Sequence, residues 1–582
     1  MATEQLLRDF PPVTTAAWEA AIARDLKGAD YEKKLIWHTE EGLAIKPYYR
    51  AEDLKGISCL DTAPGTFPFR RGNRTSGDWR IREDIDAIDV AEANVAARAA
   101  LAGGAEEIAF SRVLVQSATE LEALLANLHE IPLHFACSDK QLIRHLLVRA
   151  NSDHNTAEIS AGCDPLADVD FAAEVIKVAL AGFIPFSIRG ETLEEAGATS
   201  IEEIGFALAA AVDFLGAMDE RGVTAGNAAS AVEFSFAIGA NYFFEIAKLR
   251  AFRMVWARVV ERFGGTEQAA RARIAARTSR WNKTVYSPHV NILRASTETM
   301  AAVLGGADSV MVAPYDACYK QPDESSRRLA RNTQLLLKYE AWLGCVADAG
   351  GGSYYLEAIT DHFARGAWKT MQEIEARGGY LKALAAGAIS EVLQRSLVAR
   401  QAAVARRRRL FIGTNHFANP AEEALFRVDT VRMRVTQRGT QAFDEMRSRT
   451  ERHISGGGKT PRVLLAEMGD LKMRAARSTF AANFFSCAGF EIVTRRFKKT
   501  EDVATADTDL IVLCSADAEH VGLTAELMST LKALGRATPV IVAGNPENSE
   551  ALLHAGIADF VHMRSDAVAV LSKWQERLGI KS

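Results

Sequence analysis

What most constrains this chain is a repeating alternation, from roughly residue 80 to residue 400, of short apolar runs and longer helical stretches. The runs Glu107–Ser111, Leu133–Cys137, Ile184–Ile188, Phe214–Met218, Val232–Ile238 and Val310–Ala313 have the length of strands buried in a parallel sheet. Between them, residues 87–102, 117–128, 168–181, 200–212, 240–263 and 287–304 carry apolar residues at helical spacing. Parallel strands need a crossover helix between each pair, so repeated β–α units predict a (β/α)8 barrel or a doubly wound open sheet. No glycine-rich dinucleotide fingerprint follows the first strand, which favours the closed barrel.

A barrel of this kind takes about 250 residues, and the chain has 582. The chain divides into an N-terminal arm (1–55), a barrel domain with C-terminal helices (56–410), a linker (411–460) and a second α/β domain (461–582). The arm opens with Phe10-Pro11-Pro12 and continues into a helix with Trp18, Ile22 and Leu26 on one face, ended by Gly28. It carries Trp37, Tyr48 and Tyr49, so it packs on its own domain or on a partner. The run Arg406-Arg407-Arg408-Arg409 closes the helical region, where cations complement a helix C-terminus. The linker includes Asn419-Pro420, and its Gly456–Thr460 lacks the spacing of a phosphate loop. Strands expected at Val463–Ala466, Phe490–Thr494, Leu510–Cys514, Val540–Ala543 and Asp559–Val561 give the last domain a flavodoxin-like sheet. Such sheets bind ligands beyond the strand C-termini. The loop after the first strand here holds Asp470, Leu471, Lys472, Met473 and Arg474, with no histidine.

Several classes are disfavoured. The net charge of −5 is spread over 69 basic and 74 acidic residues, which points to neither nucleic acid nor membrane. No apolar stretch is long enough for a membrane span, and the acidic start MATEQLLRDF lacks the core of a signal peptide. The seven cysteines are scattered without a CxxC pair, as expected of reduced thiols in a cytoplasmic protein. His134-x-x-Cys137 has a ligand-like spacing but no second pair, so no metal site is expected.

Five segments then carry a resemblance: Phe67-Pro68-Phe69-Arg70-Arg71-Gly72; Glu195-Ala196-Gly197-Ala198-Thr199; Asn241-Tyr242-Phe243-Phe244-Glu245-Ile246-Ala247-Lys248-Leu249-Arg250; Glu298-Thr299-Met300-Ala301-Ala302; and Arg331-Asn332-Thr333-Gln334 followed by Gly351-Gly352-Ser353-Tyr354-Tyr355. In this order they resemble the adenosylcobalamin-dependent methylmalonyl-CoA mutase family. That resemblance implies a TIM barrel followed by a flavodoxin-like cobalamin domain, and isomerisation of methylmalonyl-CoA to succinyl-CoA in propionate metabolism. Ethylmalonyl- and isobutyryl-type mutases share the architecture, so the acyl-CoA stays open.

The chemistry-bearing positions depart from the family. Its catalytic chains carry Tyr-His before the EAGAT segment, where this chain has Glu191 and Thr192. Threonine cannot supply a cation. Two tyrosines expected after the RG segment are missing from Asn73–Trp79, and Asp153–Glu158 does not match the family's arginine loop. Cobalamin-binding members carry Asp-x-His-x-x-Gly after the first strand of the last domain, which Asp470–Arg474 does not supply; the next histidine is His520. Ser515-Ala516-Asp517 and Ala543-Gly544-Asn545 replace two further family elements of that pocket. Together with the N-terminal arm, these departures resemble the small, non-cobalamin-binding subunit of heterodimeric mutases. The resemblance therefore implies no catalytic residue and no cofactor in this chain, with adenosylcobalamin held by a large catalytic partner subunit. A divergent mutase active by itself, and an acyl-CoA-binding module using Arg70, Arg71, Arg74, Arg80 and Arg82, are the alternatives. For those arginines a solvated basic edge is the plainer reading.

Overall fold

Eight parallel strands close on themselves in the order in which the chain makes them. The computed structural model describes residues 12–128, 130–136, 139–152, 158–180, 182–419, 422 and 437–580. Expectations that fall on Phe10-Pro11, Cys137, 153–157 and Pro420 lie outside these residues. A two-residue-per-strand hairpin comes first, β1 (Trp37–His38) and β2 (Ala44–Ile45). The barrel is β3 (Arg80–Ile85), β4 (Glu107–Phe110), β5 (Leu133–Phe135), β6 (Ile159–Cys163), β7 (Phe183–Arg189), β8 (Val232–Ile238), β9 (Ile274–Thr278) and β10 (Ser309–Met311). The last of these pairs with the first, Val310 opposite Ile81, which closes the ring.

Helix starts are set by capping side chains. Asp89, Ser117 and Asp168 each accept a backbone N–H three residues on, and Thr199 forms a capping box with Glu202. The run Phe214–Met218, expected as a strand, is the end of the helix Ser200–Asp219. It is apolar on every side because the helix is sandwiched. Phe214 meets Phe186 of β7, with ring centroids 6.3 Å apart, while Gly205 faces Thr370 on the helix Tyr354–Glu375 closely enough that a Cβ would lie 2.6 Å from it. Strands β3, β6 and β9 carry Arg, Glu, Asp, Ser or Gly among their residues, which hides them from an apolar-run reading.

The family-like segments meet each other in space. Arg70 donates to Glu357 at 2.7 Å, and Arg250 donates to the same carboxylate at 2.9 Å; all three side chains are fully buried. Arg250 also bridges Asp348, and Asp348 takes Arg71 at 3.0 Å. This ties the loop before the barrel, the helix Tyr242–Arg262 and the start of the helix Tyr354–Glu375 into one knot. Elsewhere Glu298 receives Lys283, and Gln334 accepts the indole N–H of Trp79 at 3.1 Å.

The arm packs on its own barrel through Leu43 and Ile45, which join the main core, and through Trp37 stacked on Phe244 at 5.6 Å. Its helix Thr15–Asp25 buries no residue, and Trp18, stacked on Tyr48, stays 46% exposed. The arginine run follows the end of the helix Ala388–Ala405, where Arg409 meets Glu40 of the arm. The region expected as a linker contains the helix Gln441–Ser455, whose Phe443 and Met446 are buried in the core of the last domain. A short amphipathic pattern inside a polar stretch escapes notice in the sequence.

The last domain is a five-stranded parallel sheet, β11 (Arg462–Glu467), β12 (Glu491–Arg496), β13 (Leu510–Cys514), β14 (Val540–Ala543) and β15 (Asp559–Val561), in the order β12-β11-β13-β14-β15. β12 is added on one side of β11 and β13 on the other, so the strand order reverses between β11 and β13, which defines the switch point. Trp281 of the barrel domain shares a core with Val463, Phe485 and Trp574 of this sheet domain.

Glu357 gives a test of the knot. Burial alone would raise its carboxyl, but Arg250, the Gly352 N–H and Arg70 hold it down at about 2. A depressed carboxyl contributes stability that is complete above its unfolded value of about 4.3 and is lost as pH falls towards 2. Glu357→Gln is expected to lower unfolding free energy by about 3–5 kcal/mol at pH 7, because the buried Arg70 loses its carboxylate and Arg250 keeps only Asp348. The loss should shrink between pH 5 and pH 3 in denaturant titrations.

Candidate functional site

Two places in this fold can hold a ligand: the switch point of the last sheet and the C-terminal mouth of the barrel. At the switch point the loop after β11 passes through Gly469 in the left-handed region, φ +69. Asp470 caps the helix Leu471–Phe485 by accepting from Met473 N–H at 2.8 Å. Its carboxylate is therefore committed to the helix. Leu471 and Lys472 point to solvent, and the buried Arg474 turns back to donate to the Gly469 carbonyl at 2.9 Å.

The crevice beside this loop is bridged by the chain's own side chains. Glu519, from the turn after β13, accepts from Asp470 N–H and Ala516 N–H, each at 3.2 Å, and from the Ser515 hydroxyl. Those donors, Ser515 first, hold its carboxyl below the usual range. A Cβ at Gly469 would sit on the Glu519 carboxylate. Arg477 bridges Asp517 at 2.8 Å, and a Cβ at Gly544 would lie 2.6 Å from that guanidinium. Ala543 is the fully buried last residue of β14. His520 begins the next helix, is fully buried, and has neither ring nitrogen hydrogen-bonded among the described residues. Burial pushes its pKa down, and the ring faces the domain interior, 3.9 Å from Asp517.

The barrel axis is filled by charge. Arg82 of β3 reaches Glu107 on the neighbouring strand at 2.6 Å and crosses the lumen to Glu233 of β8 at 3.1 Å. His134 of β5 lies 3.7 Å from Glu233 and bonds Ser160 at 2.9 Å. Burial, then the charge of Arg82, pushes His134 down to about 4, so it too is neutral at pH 7. Below this layer Arg80 bridges Glu158, which also takes Arg273. An extended ligand could not thread this barrel without breaking the cross-lumen pairs. Among the described residues no group of three or more His, Cys, Asp or Glu is placed to hold a metal ion. None of the six described cysteines is in a disulfide, and no described helix is long and apolar enough to cross a membrane.

At the mouth, Glu191 is buried at the start of the short helix after β7 and accepts from Ser235. Burial raises its carboxyl. Thr192 is exposed, and its hydroxyl donates to the Arg189 carbonyl at 2.7 Å. The structure thus places Glu191, but not Thr192, in the mouth. The arginines weighed for phosphate each have an ion-pair partner: Arg70 and Arg82 as above, Arg71 with Asp348, Arg74 with Asp308 at 3.4 Å, and Arg80 with Glu158 at 2.8 Å. Arg70 and Arg82 are buried, whereas the side chains of Arg74 and Arg80 stay 39% exposed, as a solvated edge would have them. The cations that do line the mouth cavity, of about 450 Å³, include Arg277 and Arg280. Sequence reasoning passed over them because β9 was not recognised as a strand; an R-x-x-R at a strand's C-terminal end is the signal.

A family model described as methylmalonyl-CoA mutase matches residues 167–456. A methylmalonyl-CoA mutase small subunit of Porphyromonas gingivalis is 35% identical over 99% of this chain and 99% of its own length. One from Streptomyces virginiae is 31% identical over 99% and 98%. A methylmalonyl-CoA mutase of Rhizobium meliloti is 28% identical over 77% of this chain and 69% of its own.

Arg82 is the testable centre of the lumen. Arg82→Met leaves Glu107 and Glu233 buried without a cation, at an expected cost of about 3–5 kcal/mol. Both carboxyls would then titrate above their unfolded value of about 4.3. A raised carboxyl contributes stability below that value and loses it as pH rises. The variant should therefore be destabilised more at pH 7.5 than at pH 5 in paired urea titrations against the parent chain.

Proposed function

The chain belongs to the methylmalonyl-CoA mutase family, and we propose that it serves there as a non-catalytic small subunit. In this reading it pairs with a large subunit that carries adenosylcobalamin and isomerises methylmalonyl-CoA, and it supports that partner's assembly and stability in the cytoplasm. The observation that carries the reading is the switch-point crevice. Its loop offers no histidine, and Glu519 and the Arg477–Asp517 pair occupy the space beside Gly469 and Gly544. These residues do not fit adenosylcobalamin, so no step of the reaction is derived through this chain. The filled lumen and the exposed Thr192 support the same reading for the barrel.

What the chain would contribute is a surface and a rigid body. The arm helix Thr15–Asp25 presents Trp18 and buries nothing of its own, which suits a segment completed by a partner. Binding only the folded form, a partner adds stability by mass action.

Two measurements test this. The purified chain is expected to show no cobalamin absorbance after incubation with adenosylcobalamin and desalting, and no mutase activity. Co-expressed with a histidine-bearing large chain of the same family, it should co-purify at about one to one. Stoichiometric cobalamin uptake with turnover by the isolated chain would make it a divergent mutase instead.

A further inference from the structure

We propose that a small cavity at the N-terminal end of the barrel binds a monatomic anion, a halide of chloride's size, against the buried guanidinium of Arg253. It lies apart from the two places where organic ligands sit in such folds. Residues 71–77, which lead into β3, form one side, and residues 303–306, which lead into β10, form a second. Residues 346–348 and Arg253 of the helix Tyr242–Arg262 complete it. Its space is about 20 Å³, enough for one water-sized sphere or one ion and too little for a phosphate or an organic group. Ser76 and Val346 on its rim are exposed, so an ion can enter from solvent.

Arg253 is the reason to place an anion there. It is 1% exposed, yet it forms no ion pair with a described residue. It donates to the carbonyls of Gly305 at 2.7 Å and Gly306 at 3.2 Å, and its buried Nε–H has no partner among the described residues. A guanidinium has five N–H donors, and a carbonyl that accepts one of them cancels no charge. Gly306 sits at φ +82, and a Cβ there would lie 3.1 Å from both terminal nitrogens of Arg253, so a glycine lets the cation lie against this turn. Burial pushes the Arg253 pKa down to about 10; Asp308 and Asp348 oppose that, while Arg250 and Arg74 add to it. The group is therefore a cation at pH 7.

Neither nearby carboxylate is free to bridge it. Asp308 accepts the Ile274 N–H at 2.8 Å and meets Arg74 at 3.4 Å, while Asp348 is bridged by Arg71 at 3.0 Å and Arg250 at 2.9 Å. Glu357 takes Arg70, Arg250 and Arg71. Five arginines (Arg70, Arg71, Arg74, Arg250 and Arg253) therefore share the three carboxylates Asp308, Asp348 and Glu357. The excess positive charge falls at the cavity, which Arg71, Arg74 and Arg253 line. The rim has the same sign: the backbone N–H groups of Asn73, Arg74, Val346 and Ala347 make no hydrogen bond among the described residues. A water would satisfy N–H groups and leave the charge; an anion answers both.

The test is a chloride NMR linewidth titration of the full chain, with crystals grown in sodium bromide to locate the ion by its anomalous signal. Saturable line broadening is expected, displaced by bromide and not by gluconate at equal ionic strength, with bromide density in hydrogen-bond reach of Arg253 Nε. Arg253→Met should weaken binding about tenfold or more, the loss of a charge-assisted bond. Arg144→Gln, an exposed arginine paired with Glu174, should leave it unchanged. If Arg253→Met fails to melt cooperatively, Arg74→Gln, whose side chain is 39% exposed, is read in its place and should weaken binding about fivefold through the loss of one nearby charge. The proposal is overturned if the broadening does not saturate, if no bromide lies at Arg253, if the arginine variant keeps full affinity, or if Arg144→Gln weakens binding equally. No partner subunit or cobalamin enters this titration, so its failure leaves the small-subunit reading standing.

Discussion

A charge taken out of water must meet its opposite, and this molecule is organised around three places where that requirement spans the chain. Arg70 and Glu357 are 287 positions apart, and both are fully buried. Arg70 and Arg250 together compensate the buried Glu357, so the loop, the helix Tyr242–Arg262 and the helix Tyr354–Glu375 have one relative placement. Apolar packing tolerates sliding by a fraction of an ångström; a bridged guanidinium does so far less. The barrel is thus held from outside by a polar knot as well as by its alanine- and phenylalanine-rich core.

The same requirement decides what the two ligand-competent places contain. A parallel barrel leaves a lumen that side chains must fill, and the last sheet leaves a crevice where its strand order reverses. Here Arg82, Glu107, Glu233 and His134 fill the first, while Glu519, Arg477 and Asp517 span the second. In both, polar side chains satisfy one another where a ligand would have supplied the partners. This is a closed state by bonding as well as by volume. The mouth cavity differs: Arg277 and Arg280 are brought together there, and Glu195 bridges only Arg280.

Much of this architecture was legible in the sequence, and the misses share a physical cause. Apolar strands such as Val232–Ile238 and Leu510–Cys514 announce themselves, since both faces of a covered parallel sheet are dry. Strand β3, Arg-Ile-Arg-Glu-Asp-Ile, does not, because its lumen-facing positions carry the very charges that fill the barrel. The run Phe214–Met218 misleads in the opposite direction, since a helix buried on all sides has no polar face to show its period. At the switch point the missing histidine could be read from Asp470–Arg474, but its replacement could not. Glu519 lies 49 residues beyond Asp470, and only the sheet order brings the two together.

That separation bears on what a histidine placed in this loop would meet. Placing a histidine in the Asp470–Arg474 loop would leave Glu519 bonded to the Asp470 and Ala516 N–H groups, and Arg477 would still lie across Gly544. Opening the crevice would strip the Asp470 N–H, the Ala516 N–H and the Ser515 hydroxyl of an acceptor. Those groups would then need a ligand or water in place of Glu519. The bonding that closes the crevice is therefore distributed over at least three loops. A single loop motif is the most visible part of it.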